Sequence, residues 1–158
     1  MTIYGRMLVA GLGSAALLLA ALGFQYLGGL APCPLCIWQR WPHVAAVALA
    51  ALGTTVLWRA HDPVMWAGGL SMAVGAGLAA WHGGIERGWW EGPASCAGPG
   101  SLDMPADQLL DRIMASPLVR CDEIVWSFLG LSMTNWNMLA CLGLMAVWLW
   151  PYRDAARG

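Results

Sequence analysis

The sequence predicts an all-α membrane protein, a bundle of four transmembrane helices with one long loop between the third and the fourth helix. Of its 158 residues, 59% are hydrophobic and only 11% are charged, whereas about a quarter of the residues in a soluble protein are charged. The apolar residues form long runs, and a helix that crosses a bilayer needs about 20 of them. The chain therefore has room for four spans and one loop, which we treat as a single domain over residues 1–158.

The four spans follow from the apolar runs between the polar turns. We expect helices over about residues 7–30, 34–58, 64–83 and 135–150. The first run is longer than the apolar part of a signal peptide, which has about 7–15 residues, so it predicts a helix that is retained. The second helix begins at Pro34, because a missing N–H costs nothing in the first turn. Small residues in the third permit close packing, and Pro151 ends the fourth.

The polar segment over residues 84–131 is the predicted loop. It contains Cys96 and Cys121 together with seven acidic residues. Within it, residues 107–114 have the pattern of a short amphipathic helix that lies on the bilayer, and residues 123–131 are a second candidate for such a helix. The loop thus combines a polar surface with a pair of cysteines.

A second pair of cysteines stands at the junction between the first two spans. We expect Cys33 to be the N-cap of the second helix and Cys36 to lie in its first turn, where free backbone N–H groups favour a thiolate. Helical spacing places Arg40 and His43 on the same face. A helix N-terminus and a nearby arginine beside two cysteines are typical of a reactive dithiol. A structural disulfide or half of a zinc site is the alternative, but zinc needs four ligands and the sequence has no second Cys-x-x-Cys or His-x-x-x-His.

Other residues in or near the spans have weaker signals. Arg40 lies in the first two turns of the second helix, where a charge is costly and usually functional, although snorkelling to the headgroups is the alternative. His82 emerges on the same side of the membrane as Cys33, as an interface histidine or as part of a site. We expect His43 to be an ordinary interface histidine. Cys141, mid-helix in an apolar setting, is predicted to be a small core residue.

The placement of arginine orients the chain in the membrane. Four arginines flank the spans closely on one side, and three are spread over the long acidic loop on the other: Arg6, Arg59, Arg153 and Arg157 against Arg87, Arg112 and Arg120. Positive charge concentrates on the cytoplasmic side. Both termini are therefore predicted to be cytoplasmic, and the four cysteines near the loop to face the outer side, where disulfides persist.

Four stretches together resemble the disulfide bond formation protein B (DsbB) family. They cover residues 32–40, 82–86, 92–96 and 121–133. They contain two cysteine pairs, an arginine, a histidine and the phrase after the last loop cysteine, in the order of that family. The resemblance implies a four-helix enzyme of the bacterial inner membrane, with a periplasmic loop, that makes disulfides de novo with ubiquinone or menaquinone. It also implies a protein partner, a periplasmic thioredoxin-fold dithiol oxidase of the DsbA type, and no nucleic acid.

The resemblance also implies a role for each cysteine of the two pairs. Cys96 would be the sulfur that the partner attacks, and Cys121 would exchange with Cys33. Cys36 would be the thiolate that faces the quinone ring. Electrons would thus pass from the partner through the loop pair to the pair at the helix start, and from there to the quinone.

Two further residues are carried over as quinone-binding groups beside Cys36. Arg40 would stabilise the thiolate and the charge of the reduced quinone, and His82 would line the same pocket. Glu86 resembles a residue of shorter family members, without an assigned role. No metal is expected.

Two other classes of protein share some of these features. A vitamin K epoxide reductase-like protein also couples cysteine pairs to a quinone in a four-helix bundle, but its Cys-x-x-Cys lies late in the chain. A non-enzymatic, tetraspanin-like scaffold would have a large disulfide-braced loop. That class typically has Cys-Cys-Gly in the loop, which is absent from this sequence, and it needs no Cys-x-x-Cys beside an intramembrane arginine.

Overall fold

The structure, a computed structural model, describes residues 2–57, 59–93, 96 and 119–150. Within these ranges the protein is mostly helical, with one small antiparallel sheet. The elements in chain order are α1 (Ile3–Tyr26), α2 (Pro34–Trp38), α3 (Arg40–Thr55), α4 (His61–Glu86), β1 (Ser127–Phe128), β2 (Leu131–Ser132) and α5 (Met133–Leu149).

Helix α1 begins and ends four residues earlier than the apolar run over residues 7–30 suggests. It begins early because Thr2 caps it, with the side-chain oxygen accepting a hydrogen bond from the Gly5 N–H at 3.1 Å. It ends before Gly29, whose φ of +68° is a left-handed conformation that glycine adopts without strain. The polar cap and the glycine, rather than hydropathy, therefore set the ends of this helix.

The predicted second helix is divided at Gln39 into α2 and α3. Pro42 has no N–H to donate to the carbonyl of Trp38, so regular helical bonding cannot continue through this turn. Cys33 is the N-cap of α2, as the sequence predicts, and its sulfur accepts a hydrogen bond from the Cys36 N–H at 3.1 Å. Pro34 is the first residue of the helix.

Helix α4 has 26 residues and extends beyond the predicted range at both ends. Its glycines allow neighbouring helices to come close, as we expected from the small residues. A Cβ atom on Gly75 would lie 2.9 Å from the Cys141 sulfur on α5 and 3.2 Å from Pro42 on α3. The longer C-terminal end places Glu86 inside the last turn of the helix.

Four long helices pack around a shared apolar core, with α4 on α5, α1 on α3, α3 on α4 and α1 on α5. Met7, Ala46, Met72 and Trp148 are buried in this core. Two of the helices, α1 and α4, are long and apolar enough to cross a membrane, with mean hydropathies of 2.1 and 1.4, and α5 is a shorter apolar helix.

The buried side chain of Arg6 joins the beginning of α1 to the end of α5. It donates hydrogen bonds to the carbonyls of Val147 and Trp148, at 3.0 and 2.6 Å. The last carbonyls of a helix have no partner within the helix, so a cation there is favoured. The first residues of the chain and the last turn of α5 therefore lie at the same end of the helices.

The prediction of a helix over residues 123–131 is wrong. The chain forms a hairpin there, in which Ser127 pairs with Ser132 and Phe128 pairs with Leu131. The two turn residues, Leu129 and Gly130, have φ angles of 53° and 77°, and a two-residue hairpin turn of this kind needs positive φ at both positions. The other predicted loop helix, over residues 107–114, lies outside the described residues.

Candidate functional site

The start of α2 holds Cys33 and Cys36 as a pair of free thiols. The Cys33 thiol donates to the Cys36 sulfur at 2.8 Å. This hydrogen bond, together with burial, raises the pKa of the Cys33 thiol. Cys33 therefore holds the shared proton, and the Cys36 sulfur is left as the acceptor and the better thiolate.

The loop cysteines, Cys96 and Cys121, form a disulfide with an S–S distance of 2.06 Å. Both are buried, in one apolar cluster with Cys33, Leu35 and Ile85. The loop disulfide is thus packed directly against the beginning of α2 and the last turn of α4. This packing brings together two cysteine pairs that are far apart in the sequence.

The two pairs approach each other through Cys33 and Cys121. The sulfur atoms of these residues and a ring nitrogen of His82 all lie within 4.8 Å of one another. Three such groups resemble part of a metal site, but a sulfur that is bonded in a disulfide is not a thiolate ligand. A small movement of either sulfur would make contact for thiol–disulfide exchange.

His82 lies at the centre of this arrangement and is only 3% exposed. Its Nε2 atom is 3.1 Å from the carbonyl oxygen of Cys121 and 3.7 Å from the sulfur of Cys33. Its Nδ1 atom is 2.7 Å from Nε2 of Gln39. Of the two interpretations left open by the sequence, the geometry therefore favours a histidine of the site over an interface histidine.

A cavity of about 470 Å³ opens beside the cysteine pair. Cys33, Cys36, Arg40 and His82, four of the predicted site residues, all line it. Most of the wall is apolar, and α1 contributes Leu17, Leu18, Ala21 and Phe24. The two cysteines of the loop lie behind Cys33 rather than on the wall. The structure thus separates a dithiol that faces the cavity from a disulfide that does not.

Comparison with known proteins assigns the family. A family model described as disulfide bond formation protein DsbB matches residues 5–151. The chain belongs to the DsbB family. A disulfide bond formation protein B from Methylococcus capsulatus is 40% identical over 153 residues, 90% of each chain. The protein of the same name from Saccharophagus degradans is 33% identical over 147 residues, 87% of this chain and 86% of its own, and that from Stutzerimonas stutzeri is 31% identical over 155 residues, 90% of each.

Membership of the DsbB family makes this chain a membrane-bound thiol–disulfide oxidoreductase. The resemblance found in the cysteine, arginine and histidine stretches is confirmed over nearly the whole chain. The assignment favours the DsbB family over the vitamin K epoxide reductase-like protein and over the tetraspanin-like scaffold.

Two polar residues of this DsbB-family protein, Gln39 and His43, were missed or misjudged from the sequence. Gln39 is buried at the break between α2 and α3, with its side chain against His82 and Asn137. Gln39 follows Cys36 by three residues, so a helical repeat places both on the same face, and this spacing could have identified it. The expectation that His43 is an interface histidine is wrong, because it is 3% exposed and its Nε2 atom lies 3.0 Å from Oδ1 of Asn137.

Glu86 joins the end of α4 to the beginning of α5. Its carboxylate accepts hydrogen bonds from the hydroxyls of Ser132 and Thr134, at 2.5 and 2.7 Å. It also lines the cavity. Two hydroxyl donors keep this carboxylate in one position beside the dithiol. The remaining cysteine, Cys141, is fully buried, as predicted for a small core residue.

Proposed function

We propose that this DsbB-family protein is a quinone-dependent thiol oxidase, which makes disulfides de novo and reoxidises a periplasmic thioredoxin-fold dithiol oxidase. One observation carries the proposal. The Cys33 sulfur lies within 4.8 Å of the Cys121 sulfur in the loop disulfide, while Cys36 beside it lines an apolar cavity. Two redox pairs in this order can pass electrons from a protein to a small acceptor.

In the first step, a thiolate of the partner attacks Cys96. The Cys96–Cys121 bond breaks, Cys121 leaves as a thiolate, and the second thiolate of the partner then displaces Cys96. The partner gains a disulfide, and the loop pair takes up two electrons. Cys121, rather than Cys96, lies close to Cys33. This supports a division in which Cys121 exchanges with Cys33 and Cys96 reacts with the partner.

In the second step, the thiolate of Cys121 attacks Cys33 in the oxidised Cys33–Cys36 pair, and Cys36 leaves. Cys96 then attacks Cys121, so that the loop disulfide forms again and Cys33 leaves in turn. A better leaving thiol speeds exchange. The position of Cys36 in the first turn of α2, where it accepts a hydrogen bond from Cys33, supports its role as the leaving thiolate.

In the third step, the Cys33–Cys36 dithiol is oxidised to a disulfide and releases two electrons and two protons. A quinone supplies the acceptor, since it takes up two electrons and two protons when it becomes a quinol. The cavity fits such a ring, because it is mostly apolar, is of the size of small-molecule sites, has Arg40 to orient polar groups and has His82 on its wall. Its chemistry suits either ubiquinone or menaquinone.

We also propose that the four long helical segments cross the bacterial inner membrane, with both termini in the cytoplasm and the loop, about residues 84–131, in the periplasm. The hydropathy of α1 and α4 supports two of the spans. The contact of Arg6 with the carbonyls of Val147 and Trp148 supports a common side for the two termini.

A membrane-impermeant thiol reagent tests this topology. After reduction of intact cells, which opens the loop disulfide, the reagent should label Cys96 and Cys121, whereas Cys141, in the middle of the helix α5 that we place in the membrane, should stay unlabelled. Labelling of the loop cysteines only after lysis would reverse the orientation.

The two-pair mechanism is tested with a Cys96→Ser, Cys121→Ser double variant. It should still pass electrons from a small, strong dithiol reductant to quinone, since the cavity-facing pair is intact. It should fail with a reduced thioredoxin-fold partner, because the sulfur that the partner attacks is gone. Quinone absorbance and partner thiols are measured in the same reactions.

Cys141→Ser is the matched control, because it makes the same substitution at a cysteine that belongs to neither pair and keeps a polar atom beside Nε2 of His43. Its turnover should remain at the wild-type rate. Full turnover from partner to quinone in the double variant would make the loop disulfide a structural clamp and overturn the mechanism.

A further inference from the structure

A chain of hydrogen-bonding side chains begins at His82 and continues through the protein interior. It runs from His82 to Gln39 at 2.7 Å, from Gln39 to Asn137 at 2.8 Å, and from Asn137 to His43 at 3.0 Å. Gln39 and both histidines are buried. The chain thus connects α4, the break between α2 and α3, α5 and the interior of α3, and the catalytic scheme above uses only its first member.

The carbonyl oxygen of Cys121, next to His82, determines which group donates in each of these hydrogen bonds. The carbonyl oxygen of Cys121, 3.1 Å from Nε2 of His82, can only accept a hydrogen bond. Nε2 must therefore carry a proton, and in a neutral ring Nδ1 is then an acceptor. The hydroxyl of Thr134 lies 3.3 Å from Nδ1, but it donates its proton to the carboxylate of Glu86. The donor to Nδ1 is therefore the amide nitrogen of Gln39.

The same reasoning orients the rest of the chain. With its nitrogen toward His82, the Gln39 amide turns its oxygen toward Asn137, whose nitrogen donates to it. The oxygen of Asn137 then faces His43 and accepts from the Nε2–H of that ring. Each amide has one orientation that satisfies both of its neighbours, so the tautomer of His82 is linked to groups on two other helices.

We propose that Gln39, held by Asn137 and His43, is a positioning residue that keeps His82 in the Nε2–H tautomer for the exchange between the cysteine pairs. The inference rests on the proposed function. When Cys96 attacks Cys121 in the bond between Cys121 and Cys33, the electron pair of the breaking bond goes to the Cys33 sulfur.

The Nε2 atom of His82 also lies 3.7 Å from this sulfur, so its N–H, shared between the Cys121 carbonyl and the sulfur, stabilises the negative charge as the bond breaks. His82 keeps its proton throughout, and no atom or electron beyond those of the exchange is needed. In the opposite tautomer, a bare Nε2 lone pair would face both the Cys121 carbonyl and the departing thiolate of Cys33, and would repel them.

The tautomer is tested by ¹⁵N NMR of the full-length protein labelled in histidine and kept in detergent. The protein has three histidines; the His61→Gln variant removes the signal of the half-exposed one, and comparison with His43→Asn separates the signal of His82 from that of His43. The spectrum should report His82 as the Nε2–H tautomer, and Gln39→Leu should shift it toward a mixture of tautomers. Ser71→Ala is the control, because it deletes a hydrogen bond to the carbonyl of Pro42 that does not belong to this series of hydrogen bonds. An unchanged Nε2–H signal in Gln39→Leu would overturn the proposal.

The kinetic consequence is measured as electron transfer from the reduced loop pair to the oxidised Cys33–Cys36 pair, without quinone. Gln39→Leu should slow this transfer by about twofold to tenfold, the loss expected when the neutral hydrogen bond that favours one tautomer is removed. The KM for quinone should change little. Gln39 also lines the cavity, so a raised quinone KM with an unchanged transfer rate would limit its role to quinone binding and overturn the positioning role.

Gln39→Glu tests whether the loss of rate in Gln39→Leu comes from the protonation of the His82 ring or from a disturbed fold. A carboxylate cannot donate to Nδ1 of His82, so the ring would take a second proton there and keep its Nε2–H. Transfer should be partly restored relative to Gln39→Leu, with a new loss of rate as the pH rises and this proton is released. The titratable and charged groups around His82 are Cys33, 3.7 Å from its ring, and further groups on the cavity wall: Cys36, Arg40, Glu86, Arg120 and Glu123. All of them are unchanged in this variant.

A rate in Gln39→Glu no better than in Gln39→Leu, at any pH, would contradict the role of the ring proton. Failure of the proposed function has a different signature. In that case the wild-type loop pair would not reduce the Cys33–Cys36 pair, while the NMR spectrum would still report the tautomer of His82.

Discussion

The two cysteine pairs differ in how they are held. Cys33 and Cys36 are three residues apart at the beginning of one helix, with their sulfurs 2.8 Å apart and both thiols free. Cys96 and Cys121 are 25 residues apart, and they meet as a disulfide packed beneath Leu35. The first pair is made by one turn of helix, and the second by packing between distant segments.

This difference separates two properties: the reactivity of the thiols at the helix start and the access of a protein partner to the loop disulfide. The properties of the helix-start pair follow from neighbours in the sequence, namely an N-cap, a proline in the first turn and free backbone N–H groups. The loop pair closes a segment of about 26 residues, which as a static clamp would contribute about 3 kcal/mol in the entropic treatment of cross-links. Substitutions at the helix start should therefore slow quinone reduction with every electron donor. Substitutions in the loop should slow it only when the donor is the protein partner.

The largest expected effect is that of Cys36→Ser. It should reduce quinone reduction to background with every donor, because no dithiol then faces the cavity, whereas the loop disulfide should still accept one electron pair from the partner and stall. Partner thiols and quinone absorbance, followed together, check this. If Cys121 is also changed, a mixed disulfide between the partner and Cys96 should accumulate. Continued turnover in Cys36→Ser would show that the loop pair reduces quinone by itself.

A smaller effect is expected from Arg40→Ala on the cavity wall. The KM for quinone should rise by about tenfold to a hundredfold, as for the loss of a hydrogen bond to a charged group, with a smaller change at saturating quinone. Arg40→Lys should restore only part of the affinity, because a point charge lacks the planar fork of arginine. Arg59→Ala, near the opposite end of α3, is the control and should leave KM unchanged. An unaltered quinone dependence in both Arg40 variants would remove Arg40 from the site.

The smallest effect is expected beside the loop pair, at Asp122. Arg120 donates two hydrogen bonds to its carboxylate, and they lower the pKa of Asp122. A lowered pKa in the folded protein stabilises the fold above the pKa of the unfolded chain, and the contribution is lost as the pH falls. Both side chains are exposed, so the contribution is small and is screened by salt.

The melting temperature of Asp122→Asn in detergent should thus lie slightly below that of the wild type at neutral pH. The two should converge as the pH falls from about 4, the ordinary pKa of an aspartate, through the lower pKa of Asp122 in the folded protein, and also at high salt. Asp62→Asn, on the first turn of α4, provides a comparison away from the cysteine pairs. A difference between Asp122→Asn and wild type that persists at low pH would show that the effect is not due to the ion pair.

Much of the helix-start pair could be predicted from the sequence, because its geometry is local. Pro34 in the first turn, Cys33 as the N-cap and the shared face of Cys36 and Arg40 all follow from the helical repeat and from capping rules. The DsbB family also follows from short stretches around these residues. The break at Gln39 could have been found by the same reasoning, since Pro42 leaves the carbonyl of Trp38 without a donor.

Only the tertiary structure decided the surroundings of that pair. The sequence predicts a helix over residues 123–131, where the structure has a hairpin, because a short apolar stretch does not distinguish a helix from a strand by its periodicity. His43 was assigned to the interface, yet its partner Asn137 lies 94 residues further along the chain. His82 contacts the carbonyl of Cys121, 39 residues away. Hydropathy and helical period report how a segment relates to its own neighbours, whereas these contacts depend on which helix faces meet when the apolar core packs.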